Sequence, residues 1–67
     1  MPSSVIAKIE YDELNELLRI EFQSGKIYYY MGVPRGVYLT LKTTRSKGGY
    51  FNKYIKGNYE FEEIDLQ

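Results

Sequence analysis

The stretch Gly25-Lys26-Ile27-Tyr28-Tyr29-Tyr30-Met31-Gly32-Val33-Pro34 constrains this chain most. A glycine turn leads into five strand-forming residues, and a proline follows that forces Val33 to be extended and suits the first turn of a helix. The segments before it alternate as strands do, and those after it repeat as helices do. Val5, Ala7, Ile9 and Tyr11 alternate with Lys8, Glu10 and Asp12, the period of a half-buried strand. The polar run Asp12 to Glu16 reverses the chain, and Leu18, Ile20 and Phe22 then alternate with Arg19, Glu21 and Gln23 in a second strand.

The loop Gln23-Ser24-Gly25 decides the register of the central strand. A two-residue Ser-Gly loop would put Ile27, Tyr29 and Met31 with Leu18, Ile20 and Phe22. A three-residue loop ending in a left-handed Gly25 puts Tyr28 and Tyr30 there instead. That loop is favoured because glycine stands where the bulged turn needs a positive φ. Tyr29 then faces the other side of the sheet.

Val37, Tyr38 and Leu41 have helical spacing, so a short helix is expected from Arg35 to about Thr43. Ser46 is expected to cap a second helix that carries Phe51, Tyr54 and Ile55 on one face and stops at Gly57. The fold class is therefore α+β, a three-stranded antiparallel meander followed by two short helices packed on one face. The expected division is one domain over residues 1–59 and an acidic tail over 60–67, the tail being an added edge strand or loosely docked. At 67 residues the chain has room for a single small core, burying about 60% of its unfolded surface.

Without cysteine, disulfides and thiolate metal sites are excluded; without histidine, so are the commonest general base and every His-ligated metal. An enzyme is not expected, nor a cofactor, nor a metal. The N-terminus has no basic region followed by an apolar one, so a cytoplasmic location is expected and a membrane partner is not.

Charge is neutral overall but unevenly placed. Residues 34–58 hold Arg35, Lys42, Arg45, Lys47, Lys53 and Lys56 and no acid, whereas residues 59–67 hold Glu60, Glu62, Glu63 and Asp65 and no base. Clustered cations neutralise phosphates and give salt-sensitive binding. Lys42, Arg45, Lys47, Lys53 and Lys56 are thus candidate nucleic-acid contacts, and a solvated helix face is the plainer reading of the same residues. Tyr50 or Tyr29 are candidate stacking surfaces, while Tyr28, Tyr30, Tyr38 and Tyr54 read as core.

Ser46, Gly48, Gly49 and Asn52 form a candidate phosphate seat; a capped tight turn with Asn52 bonded to nearby backbone is the favoured alternative. Glu10, Asp12, Glu13 and Glu16 read as a solvated turn rather than a carboxylate site. The acidic tail is expected to fold back on the basic segment and compete with ligand, so that its removal would tighten polyanion binding.

These landmarks resemble the KTSC domain, a module named for the C-terminus of certain lysyl-tRNA synthetases. The matching residues are Ser3-Ser4-x-Ile6, Tyr11-Asp12, Leu18-x-Ile20-x-Phe22, Gly25, Tyr28-x-Tyr30, Val33-Pro34, Val37-Tyr38, Leu41, Ser46-x-Gly48-x-Tyr50-Phe51-Asn52, Ile55 and Tyr59. Tyr29 departs from a position often polar in the family. The resemblance implies a small α+β fold in a stand-alone bacterial or phage member, and RNA binding through the synthetase association. RNA or a protein is accordingly the expected partner. The leading function is a non-enzymatic module binding RNA or another polyanion through the basic helical segment. The alternatives are a protein-interaction module using the tyrosine-bearing sheet face or the acidic tail, and capture of a small phosphorylated ligand at Ser46 to Asn52.

Overall fold

The computed structural model describes residues 6–65. Three strands come first, β1 (Ile6–Asp12), β2 (Leu17–Phe22) and β3 (Lys26–Tyr30), followed by helix α1 (Arg35–Thr43). Helix α2 (Lys47–Tyr50) runs directly into a π-helical turn, Phe51–Ile55, and the chain returns as β4 (Phe61–Asp65). The sheet is antiparallel throughout in the order β1-β2-β3-β4. It therefore has four strands where three were expected: the acidic tail docks beside β3 as an edge strand. Of the two readings of the tail, the added edge strand is the one found, with Phe61 and Ile64 half-exposed on it.

The β2–β3 register is the one a three-residue loop requires. Tyr28 stands opposite Ile20 and Tyr30 opposite Leu18, and Gly25 has φ 96° with its N–H donating to the Phe22 carbonyl at 2.9 Å. In β1 the expected phase is broken. Ile6 pairs with Phe22 but Lys8 pairs with Glu21, so a bulge at Ala7 turns Ile6 inward and leaves Ala7 exposed. Ile9 and Tyr11 keep the inward face. Val5 and Leu66 lie outside the described residues.

The first hairpin is held by Asp12, whose carboxylate accepts the backbone N–H groups of Leu14 and Asn15 at 3.1 and 3.4 Å and the Asn15 amide at 2.8 Å. These bonds hold the Asp12 carboxyl below the ordinary aspartate range, the Asn15 side chain contributing most. Two of the other turn carboxylates pair with cations: Glu10 meets Arg19 at 2.9 Å and Glu13 meets Arg35 at 3.9 Å.

Pro34 stands just before α1 with φ −65°, and its carbonyl accepts the N–H groups of Val37 and Tyr38. The helices cover one face of the sheet. Leu18, Ile20 and Tyr30 from the strands meet Val33, Leu41, Phe51 and Ile55 in a single core. Complete burial of Leu41 and Ile55 contributes roughly 1.5–3 kcal/mol each. Tyr11 ties the sheet to the α1 approach, its hydroxyl donating to the Val33 carbonyl at 2.6 Å and its ring stacking on Tyr38 at 4.6 Å. Ile27, on the sheet's opposite face, is also buried and stands across from Ile64 of β4. No helix among the described residues is long and apolar enough to cross a membrane.

Candidate functional site

The basic segment becomes a surface because three of its apolar residues anchor it to the core. Leu41, Phe51 and Ile55 point inward, which leaves Lys42, Arg45, Lys53 and Lys56 exposed around the helical layer. Among the described residues none of these four has a carboxylate within 4.0 Å. The tail makes no ion pair with them among the described residues. Among the described residues the one ion pair that β4 makes is Glu63 with Lys26, at 3.5 Å, within the sheet rather than with the helices. The expected fold-back of the tail onto the basic segment is thereby corrected, since strand pairing with β3 satisfies its backbone.

Lys47 differs from the other cations. Its ammonium donates to the Thr44 carbonyl at 3.2 Å and its side chain is half-buried, so it closes the α1–α2 turn. Lys42 lies 5.8 Å from the Tyr38 ring centroid and Lys53 lies 5.4 Å from that of Tyr54, both within cation–π range. Tyr54 itself is 48% exposed, not core as its spacing suggested. The π-helical turn is the reason: the Lys56 N–H reaches back to the Phe51 carbonyl, five residues away, and the wider turn keeps Phe51 and Ile55 inward while rotating Tyr54 out. There Tyr54 packs beside Tyr50 with centroids 4.7 Å apart. Tyr50 is thus part of an aromatic pair beside Lys53. Tyr29 is on the other face of the sheet, across from Arg19 and Glu62, and shares no surface with the helical cations.

The candidate seat at Ser46 and the capped turn favoured over it both meet a different local geometry. The Ser46 hydroxyl makes no capping bond; its backbone carbonyl accepts the Tyr50 N–H at 2.9 Å. Gly48 is buried, and α2 has only four residues before the π turn begins. Asn52 is exposed, and no hydrogen bond to its side chain is present among the described residues, contrary to its reading as a backbone-bonding turn residue.

Gly48, Asn52 and Lys56, spaced by four along the helical rod, line one wall of a groove of about 510 Å³. Phe22, Tyr28, Tyr30 and Phe51 form its floor, and Gln23, Ser24 and Lys26 of the β2–β3 hairpin form the opposite wall. Phe51 meets Phe22 and Tyr30 edge to face, each at 5.5 Å, and Tyr28 meets Phe22 at 5.4 Å. Burial, with a smaller contribution from neighbouring Tyr28, pushes the Tyr30 phenol up to about 12, so it stays a neutral hydroxyl at physiological pH. The hairpin half of this groove escaped the sequence reading. Tyr28 faces inward as the three-residue loop requires, but nothing in the pattern says which end of the sheet the second helix crosses.

A short antiparallel sheet with helices on one face and a cation-rich helical layer defines a small α+β module. The KTSC domain model matches residues 2–59, and the chain belongs to that family. It is 44% identical over 61 residues to a lysine–tRNA ligase of Nostoc punctiforme, covering 91% of this chain and 11% of the ligase. A ligase of the same description from Trichormus variabilis is 39% identical over 61 residues, with the same coverage. The chain thus spans about a tenth of the length of these relatives. An uncharacterised protein of Stutzerimonas stutzeri is 35% identical over 66 residues, covering 97% of this chain and 93% of that one. The crystal structure of a KTSC domain protein from Yersinia pestis superposes with a TM-score of 0.86 at 37% identity, over 96% of this chain and 90% of that one.

Proposed function

We propose that this module is non-enzymatic and binds RNA through its helical layer, with Lys42, Arg45, Lys53 and Lys56 meeting backbone phosphates and the Tyr50–Tyr54 pair offering a base-stacking surface. The observation that carries this reading is that the four cations are exposed and lack carboxylate partners among the described residues. A solvated face that serves only solubility gains from interspersed acids; residues 34–58 contain none. Similarity to a segment of lysine–tRNA ligases supports RNA over other polyanions as the ligand. Lys47, engaged with Thr44, contributes to the fold of the turn more than to the contact surface.

The test is fluorescence anisotropy of a labelled unpaired RNA at physiological salt. Lys42→Glu/Lys53→Glu should abolish binding, Tyr54→Ala should weaken it, and Tyr29→Ala should leave it unchanged. Retained binding in the charge-reversed variant would end the reading. Loss of binding in Tyr29→Ala alone would move the interface to the opposite sheet face and favour a protein-like or alternative surface there.

A further inference from the structure

The aromatic-floored groove between the β2–β3 hairpin and the π-helical turn has no part in the phosphate contacts just described, apart from Lys56. We infer that it receives one unpaired nucleotide of the bound RNA, the base lying over the Phe22, Tyr28 and Phe51 floor and its phosphate meeting Lys56. This inference rests on the RNA reading and deepens it.

Four observations converge. The groove's volume of about 510 Å³ is that of a small-molecule site. Its floor is aromatic, which suits any base because every base has a π face. None of its lining residues is acidic, and two are lysines. Lys56 has no carboxylate partner among the described residues, whereas Lys26 is already 3.5 Å from Glu63, so the anion's place is on the Lys56 side.

Asn52 adds a fifth. Its side-chain amide is exposed at the rim with no hydrogen bond of its own among the described residues. A primary amide presents a donor and an acceptor side by side, the pair that matches a base edge. Asn52 and Lys56 share the groove wall because the π turn carries residues four apart along one line, and π turns recur at functional sites.

The experiment uses Asn52→Trp, which fills the groove from an exposed position, and Asn52→Ala, which leaves it open but removes the amide. Anisotropy is measured with an unpaired RNA and a duplex RNA, and thermal melting reports the fold. Asn52→Trp should lose about tenfold or more in affinity for the unpaired RNA, with duplex binding and melting temperature as in the wild type. Asn52→Ala should weaken unpaired binding less than Asn52→Trp does. In a heteronuclear titration, adenosine monophosphate should shift the Lys26, Asn52 and Lys56 amides further than equal inorganic phosphate. Wild-type affinity for unpaired RNA in Asn52→Trp, or equal shifts with phosphate alone, would overturn the groove assignment and leave the cationic surface standing. Failure of the wild type to bind either RNA would remove the cationic surface and the groove assignment together.

Discussion

Gly49→Ala tests how tightly the helical layer is built, because two effects of opposite sign meet at one atom. Gly49 is exposed inside α2 and has no positive φ, so alanine gains about 0.5–1 kcal/mol from reduced freedom of the unfolded chain and better helix propensity. Against this, the new Cβ would stand 2.7 Å from the Ser46 hydroxyl oxygen, too close for contact. That oxygen ends a short exposed side chain that makes no capping bond, so it can rotate away at little cost. The Ser46 Cβ, at 3.6 Å, is in ordinary contact. Stabilisation should win, raising the melting temperature by about 2–8 °C in a domain of this size. Thermal melting followed by circular dichroism reads this directly. A fall in melting temperature would refute the reasoning, and Gly49→Ala/Ser46→Ala would then show whether the hydroxyl was the obstacle.

Further expectations concern the sheet and its titration. Phe61→Ala removes a ring 5.5 Å from Tyr28 and 5.4 Å from Tyr30 and should cost about 1–2 kcal/mol in urea unfolding; no change would mean that β4 adds nothing to the sheet. Tyr30→Phe should flatten the alkaline limb of stability. The unfolded chain releases the phenol proton near pH ~10 while the native state keeps it to about 12, so stability is full below pH ~10 and declines as pH rises through that window. Parallel declines in variant and wild type would assign the alkaline loss to other tyrosines.

Much of this fold can be read along the chain because its strongest signals are local. Gly25 demands a left-handed turn, and that one residue carries the β2–β3 register and the inward placement of Tyr28 and Tyr30. Pro34 and the Val37, Tyr38, Leu41 spacing bound α1 at Arg35 and Thr43. The parts that escaped depend on irregularities without a sequence signature. The bulge at Ala7 shifts β1 by one residue, and the π turn at Phe51–Ile55 ejects Tyr54 while aligning Asn52 and Lys56. The tail stayed open between an added edge strand and a loosely docked segment because the cross-strand partners of β4 lie on β3, some 35 residues earlier in sequence. At the candidate site, the cations were legible from charge placement, whereas the groove needs two distant segments brought together by tertiary packing.

The most direct measurement is the salt dependence of binding to a single-stranded RNA. Four phosphate contacts, by Lys42, Arg45, Lys53 and Lys56, give a slope of log affinity against log salt of about −2.8, a loss of roughly 50-fold between 50 and 200 mM. Lys42→Ala/Lys53→Ala should halve that slope to about −1.4. A wild-type slope near zero, or a slope that the double variant leaves intact, would contradict an RNA-binding surface built on these cations.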